Sequence, residues 1–474
     1  MMRTTSSLTF ALGLLTLSGA LAAQTPGDLD PGFGTDGVAR IDVRVTNQDR
    51  NNVATDLAVQ PDGMLLLAGA AQSIPPDFGE ERMVAVRLTA DGEPDPAFGT
   101  DGRARIQALP EDPGSATYWG GKVGLGPAGE IYLFNGASFG PTVGWALARL
   151  RPGGGLEPGF GTGGIVERQD IATGAGDVAV QADGKFLVLE DWNDEGGIPI
   201  NQEISVWRLL PNGEPDGGFG EDGSQVVRFN VGGSWEDYAH ALALQRDGRI
   251  LVAGQADVGG SAEFDFAVAR LTADGALDPT FSGNGRVTIG FDLAIGVNDE
   301  AHALAVDSEG RILVGGVAGG EAAIVRLLPD GSLDPAFAGD GRATFHFASA
   351  EPGAYDQVFG LAVQGDGAVV AVGRGTSAAG TSRRFGVARL TASGELDPTF
   401  AGDGTAIFDF TENSGAFSVA RAVALLEDGS ILAVGGTELT LGDMAFVAAR
   451  LHNDYIFADG FEGATSDAWS STAF

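Results

Sequence analysis

The sequence contains no cysteine, which excludes disulfides, thiolate metal sites and lipid attachment through an N-terminal cysteine. Cations are also scarce. Against 64 Asp and Glu there are 28 Lys and Arg, and the net charge of −36 would repel the phosphate backbone of DNA or RNA. Nucleic acid is therefore not an expected partner. The same charge keeps an exported protein in solution and draws cations or basic ligands. After the N-terminus, no window reaches the ~18 consecutive apolar residues read as a spanning helix, so no transmembrane segment is expected in the mature chain.

The first 22 residues read as a signal peptide. Arg3 supplies a positive start, Leu8 to Leu21 an apolar stretch, and Ala20-Leu21-Ala22 a small-residue cleavage site. Export to the periplasm, cell surface or medium is the expectation.

Glycine is abundant: 75 residues is roughly twice the usual share of about 7%. Valine, isoleucine, leucine and phenylalanine stay plentiful, a balance that suits a loop-rich β protein rather than a disordered one. A fixed phrase explains the bias. G-x-[LP]-[DE]-x-x-F recurs seven times, ending at Phe33, Phe98, Phe160, Phe219, Phe281, Phe337 and Phe400. A second phrase ends at Arg87, Arg149, Arg208, Arg270, Arg326, Arg389 and Arg450, each followed by Leu. Six of these arginines lie eleven residues before one of the phenylalanines. Periods of this length mean an array of supersecondary units.

Between the anchors lie apolar runs joined by Asp62-Gly63, Asp183-Gly184, Asp247-Gly248, Asp366-Gly367 and Asp428-Gly429, with Ala128-Gly129 and Glu309-Gly310 as variants. Such pairs accept the backbone angles of hairpin turns. Each unit then reads as four strands, a to d, the first full set near residues 56–60, 64–69, 83–89 and 102–108. Near-continuous apolar runs suit sheets covered on both faces by neighbouring blades. The chain opens with a d-type strand (Gly37 to Val43) and closes with a c-type strand (Phe446 to Leu451). Pairing them completes an all-β, seven-bladed propeller of four-stranded blades over residues 23–451 and leaves no bare edge. An acid eight residues after the arginine (Asp95, Glu157, Asp216, Asp278, Asp334, Asp397, with Asp30 for Arg450) predicts an ion pair pinning each c-to-d connection.

The phrase G-x-L-D-x-x-F-G-x-D-G with the A-R-L that precedes it resembles the delta-60 repeat of exported bacterial proteins, over about residues 27 to 451. The hairpin phrase is also similar to NHL-type blades. The resemblance implies a propeller-like array without an assigned reaction. The third unit departs most, with Glu157 for Asp and Gly163-Gly164 for Asp-Gly. Residues 452–474, with Tyr455, Phe461 and Trp469, are similar to a short C-terminal motif of exported gammaproteobacterial proteins. Phe461 also falls eleven residues after Arg450, so the tail is either a sorting or attachment motif or a segment packed beneath the last blade.

The d-to-a and b-to-c loops, such as Ile74 to Glu81, Asp191 to Gln202 and Gly375 to Arg384, vary between units, as expected of a recognition face on a rigid scaffold. At the entry to strand a, the seven units carry Thr55, Gly121, Gly176, His240, His302, Phe359 and Arg421. These residues would ring the channel. His240 and His302, with Asp237 and Asp299 three residues earlier, are candidates for an anionic ligand or a shared metal. The aromatic residues Tyr118, Trp119, Trp192, Trp235, Tyr238 and Tyr355 gather in the same loop set, either to hold sugars or peptides or to pack between blades. Asp191, Asn193 and Glu195 partly fit a calcium loop, although Gln202 stands where the bidentate acid belongs. Calcium is the one cofactor suggested. Gly136-Ala-Ser138-Phe-Gly140 and Gly124-Leu-Gly126-Pro-Ala-Gly129 match a nucleophile elbow and a dinucleotide fingerprint by spelling, without the strand-turn-helix setting that either mechanism needs.

The expected function is a non-catalytic, exported scaffold that binds a protein, peptide or glycan through the variable loop face. The alternative is a metal-dependent propeller enzyme acting on a lactone, ester or glycan at the channel mouth.

Overall fold

The computed structural model describes residues 25–43, 52–71, 82–107, 116–139, 142–168, 173–192, 203–229, 237–259, 264–291, 293, 298–347, 355–376, 383–410, 417–440 and 443–453. The candidate signal peptide, the tail beyond Asn453 and most of the variable loop face lie outside these residues.

Among the described residues, twenty-eight strands form seven four-stranded antiparallel sheets. Blade 1 comprises Val53–Val59, Leu65–Ala71, Arg82–Leu88 and Arg103–Ile106, paired in chain order, within a few residues of the predicted strands. Blades 2 to 6 repeat this pattern. Blade 7 pairs Ser418–Leu425, Ile431–Thr440 and Asp443–Leu451 with Val38–Ile41, in register from Val38 opposite Ala449 to Ile41 opposite Phe446. The N-terminal strand therefore closes the ring as the strand count predicts. The a strands touch one another around a closed circle, blade 1 meeting both blade 2 and blade 7, and so line the centre. The protein is an all-β, seven-bladed propeller.

The core is divided into wedges. Among the described residues, each of seven apolar clusters fills one interface between consecutive blades, from Ala58 and Val123 between blades 1 and 2 to Leu57 and Val434 between blades 7 and 1. The b strands are buried along most of their length, Leu65–Ala71 at every position, because both faces of a blade are covered. Burying each large side chain contributes about 1.5 to 3 kcal/mol.

The a-to-b turns use glycine differently from the two-residue turn the sequence suggests. Only Gly63 takes positive φ (82°) in the first turn, while Asp62 Oδ1 accepts the Met64 N–H at 3.1 Å.

The repeated arginine makes three contacts at once. Arg87 Nε donates to Asp95 Oδ2 at 2.7 Å, its Nη1 donates to the Pro152 carbonyl of blade 2 at 2.6 Å, and its guanidinium lies 4.7 Å from the centroid of Phe98. Arg208, Arg270 and Arg326 repeat all three contacts. Arg389 pairs with Asp397, covers Phe400 and reaches the Asn453 side chain. Arg450 pairs with Asp30 at 2.7 Å, covers Phe33 at 5.1 Å and donates to the Ala90 carbonyl of blade 1. Phe33 thus fills the anchor position for which Phe461, outside the described residues, is the other candidate. The leading glycine of the phrase has its own reason: a Cβ on Gly92, at φ +83°, would stand 2.9 Å from the Phe33 ring of the preceding blade.

Blade 2 is the exception. Arg149 does not pair with Glu157 but with Glu130, at 3.2 Å, and Glu157 turns to Arg151 at 3.3 Å. An aspartate in the other blades accepts the backbone N–H two residues on with one oxygen, as Asp95 does from Ala97 at 2.9 Å, and the guanidinium with the other. Glutamate, one methylene longer, reaches the equivalent Gly159 N–H only at 3.4 Å and carries its charge outward.

These differences set the stability each pair contributes. The Arg326 and Asp334 side chains are 3% and 6% exposed, so Asp334→Ala strands a buried guanidinium and should cost about 3 to 5 kcal/mol. Glu157→Ala should leave the unfolding midpoint where it is. Urea unfolding of both variants beside the parent checks this, and equal losses would contradict it.

Candidate functional site

Every a strand carries an irregularity at the same place. Its register against strand b slips between Ala54 and Asp56, Trp119 and Lys122, Ala175 and Asp177, Ala239 and Ala241, Ala301 and Ala303, Val358 and Gly360, and Ala420 and Ala422. The extra residues are Thr55, Gly120 with Gly121, Gly176, His240, His302, Phe359 and Arg421, which, Gly120 apart, are the predicted ring positions. A bulge breaks the strict alternation of a strand, so two successive residues need not face opposite sides. A central cavity of about 60 Å³ is accordingly lined by both members of such pairs, including Thr55 with Asp56, His302 with Ala303, Phe359 with Gly360 and Arg421 with Ala422. That space suits water, an ion or one small group of a larger ligand.

The two layers are complementary. Blades 1 to 3 place Thr, Gly and Gly in the ring and Asp56, Lys122 and Asp177 in the layer behind it, whereas blades 4 to 7 place His240, His302, Phe359 and Arg421 in the ring and Ala or Gly behind. The sequence reading missed Asp56, Lys122 and Asp177. Their signal was an ionisable residue directly after the ring position, readable only once the bulge is known.

Those three residues form a charge group, with both carboxylates buried and Lys122 partly exposed, that also locks blades together. Asp56 Oδ2 accepts the Val123 N–H of blade 2 at 2.9 Å, and Asp177 Oδ2 accepts the Leu242 N–H of blade 4 at 2.9 Å. Lys122 Nζ lies 3.3 Å from Asp177 Oδ1. Burial pushes the Asp56 carboxyl up to about 6, with Lys122 opposing and Asp177 adding to the rise. Burial would lower Lys122, but the carboxylates of Asp177 and Asp56 outweigh it and hold the ammonium above its ordinary value.

Across the channel the ring side chains stack in an arc. The His240 and His302 rings are 5.2 Å apart, His302 and Phe359 5.3 Å, and the Arg421 guanidinium stands 4.2 Å from the Phe359 centroid. Arg374, from strand b of blade 6, lies 5.9 Å from Phe359 and 5.3 Å from Tyr355, whose side of the arc is open at 39% exposure. Arg421 Nε, Arg374 Nε and His302 Nε2 are buried without a hydrogen-bond partner. Glu300 Oε2 is 3.8 Å from His302 Nε2, beyond hydrogen-bond reach. Burial, with Arg374 and Arg383 nearby, lowers Arg421 to about 10. Burial also lowers His240 to about 4, and burial together with His240, Arg421 and Arg374 lowers His302 to about 3.

The structure therefore brings His240, His302 and Arg421 together and sets Tyr355 beside them. Asp237 and Asp299 do not join the histidines: each accepts a backbone N–H at 2.8 Å, from Phe229 and Phe291, and so ties the start of strand a to the segment before it. Asp356 makes the equivalent contact to Phe347 in blade 6. Trp119 lies in strand a of blade 2 and Asp191 in strand b of blade 3. Their side chains, and the whole of Trp235, Asn193 and Glu195, fall outside the described residues. Among the described residues, no three His, Asp or Glu side chains converge as metal ligands.

The histidine pair gives a pH signature. Because the folded values lie below the ordinary 6.5, the folded protein takes up these protons later than the unfolded chain. Their contribution to stability is thus whole above about pH 6.5 and is lost progressively toward pH 3. Asp56, raised, works in the opposite sense, its contribution being lost as pH rises toward 6 and beyond, so the comparison must be between variants. His302→Phe, a residue the neighbouring blade already carries here, should gain melting temperature relative to the parent as pH falls from 6.5 to 4. Parallel melting curves would contradict this reading.

A family model described as "Domain of unknown function (DUF5122) beta-propeller" matches residues 60–98, 245–281, 308–337 and 364–400, each running from an a-to-b turn to the anchoring phenylalanine. No curated protein matches the chain. Among solved structures, a protein of unknown function from Dyadobacter fermentans is 14% identical, with 88% of this chain and 99% of that one covered and a TM-score of 0.43. A polysaccharide lyase is 10% identical (84% and 90% covered, TM-score 0.47), as is the α-L-arabinofuranosidase of Fusarium graminearum (75% and 98% covered, TM-score 0.41). The matched segments and the seven blades together make this chain a propeller-repeat protein.

Proposed function

We propose that the protein is an exported, non-catalytic binding scaffold of the delta-60 type, which recognises a protein, peptide or glycan at the channel mouth and the loop face around it. The observation that carries this reading is the contrast between positions that repeat and positions that do not. The Arg–Asp–Phe anchor recurs in six blades with nearly the same distances. The ring positions hold Thr, Gly, Gly, His, His, Phe and Arg at one and the same backbone irregularity. Folding a seven-fold ring does not require that variety; recognition of an asymmetric ligand does.

The arc also has the make-up of a contact surface. Phe359 and Tyr355 offer apolar faces beside cationic groups, and aromatic residues with arginine dominate the energetics of recognition sites. Asp237 and Asp299, the carboxylates considered as partners of the histidines, are engaged with backbone N–H groups, which weighs against an acid–base or metal mechanism at this place.

Screening the mature protein against immobilised glycans and peptides tests the reading. Ligands should appear whose affinity falls at least tenfold in Tyr355→Ala and in Phe359→Ala while the fold, followed by circular dichroism, is kept. Ligands indifferent to both changes, or conversion of a ligand to product, would sink it.

A further inference from the structure

Among the described residues, the channel contains one cation that no acid balances. In a chain of net charge −36, acids are everywhere available, and the arginines of the blade anchors each have one. Arg421 has none: its neighbours are the Phe359 ring and the cations Arg374 and Arg383, its Nε is buried without a partner, and it lines the central cavity. Arg374 Nε is also buried without a hydrogen bond, between Phe359 and Tyr355, although Glu300 and Asp356 partly balance its charge. His302, also lining the cavity, keeps a buried Nε2 without a hydrogen bond. On the far side, Asp177 and Asp56 are occupied by Lys122; on the near side Glu300 stands 3.8 Å from His302 Nε2, beyond hydrogen-bond reach, and Arg421 is left without an acid. A largely buried guanidinium without a counter-charge is costly, and one that stands beside a second, half-buried and only partly balanced guanidinium is set up to receive an anion.

We propose that Arg421 and Arg374, with His302 beside them, form an oxyanion site that takes the carboxylate of an acidic sugar whose ring lies against Tyr355. The planar guanidinium groups suit a carboxylate, sulfate or phosphate, whose oxygens accept paired N–H bonds. Selection among these comes from the exposed face of Tyr355, next to Arg374, which offers an apolar platform to a sugar ring and nothing to an inorganic ion. The inference rests on the reading that the channel mouth is the binding face, and it names the chemistry recognised there.

The site predicts an unusual coupling of stability and binding. In anion-free buffer, Arg421→Met removes an unbalanced buried charge and should raise the melting temperature by a few degrees. If the arginine served only to pack on Phe359, the same change would lower it. Adding trigalacturonate at constant ionic strength should raise the melting temperature of the parent in a saturable way and leave Arg421→Met unmoved. Calorimetry should show at least a tenfold loss of affinity in Arg374→Met and a smaller loss in Arg421→Lys, with the parent binding trigalacturonate at least tenfold more tightly than acetate, sulfate or phosphate. Equal affinity for the inorganic anions would leave an anion site and overturn the sugar assignment. No saturable binding of any of the four anions, together with a lower melting temperature for Arg421→Met, would overturn the oxyanion site itself. The scaffold reading would survive that result if neutral ligands bound and were lost in Tyr355→Ala, and would fall with it if they were not.

Discussion

The ring is held by a guanidinium that joins consecutive blades. In six of the seven blades the arginine ending strand c satisfies its own c-to-d connection through aspartate, covers the phenylalanine that plugs the wedge, and in five of them reaches a backbone carbonyl of the next blade. Each contact depends on the others. The aspartate lowers the cost of burying the charge, and the charge over the ring fixes the rotamer that fills the wedge. The glycine of the following blade leaves room for that ring to approach. Blade 2 departs from this pattern, and there Tyr132, Phe160 and Phe186 pack edge to face instead. Closure follows the same rule: Asp30 and Phe33, from the other end of the chain, complete the seventh anchor around Arg450.

What could be read in the sequence was what a period enforces. The anchors at Arg and Phe, the seven hairpins and the closing pair of Val38–Ile41 with Asp443–Leu451 all follow from spacing, because equivalent residues must meet equivalent partners in every blade. Geometry that turns on one methylene could not be read this way: Glu157 scored as an aspartate by position, yet its extra length moved the partner of Arg149 to Glu130. The ring residues themselves were found, since they stand at one fixed offset from the hairpin. Their neighbours Asp56, Lys122 and Asp177 were not, because alternation along a strand assigns them to the blade interior. Only the bulge turns them to the channel. Asp237 and Asp299 failed for a related reason: closeness to histidine along the chain was read as closeness in space, whereas a residue at the start of strand a is positioned to accept from the segment before it.

The two channel layers divide labour along the circumference. On the side of blades 1 to 3 the ring is nearly bare and the ionisable groups sit one step behind, Asp56 and Asp177 engaged with backbone N–H groups of the neighbouring blades and Lys122 with Asp177. On the side of blades 4 to 7 the large side chains come forward and the layer behind shrinks to Ala or Gly. Filling the axis from alternating layers avoids seven bulky residues meeting at one level, which no packing could accommodate. It also gives the axis a polarity across its width, acidic and closed on one side, cationic and aromatic on the other.

That polarity bears on why the cationic half persists. A structural role for Arg421 would be met by any apolar residue able to cover Phe359, and would spare the protein a buried charge beside Arg374. The acidic half shows how this chain treats a charge it needs for stability: Lys122 is given two carboxylates, and each carboxylate is given a backbone donor. Among the described residues Arg421 receives neither, in a chain with more than twice as many acids as bases. The missing counter-charge is therefore a property of the site rather than of the composition, and an anion arriving from outside is the partner that the arrangement lacks.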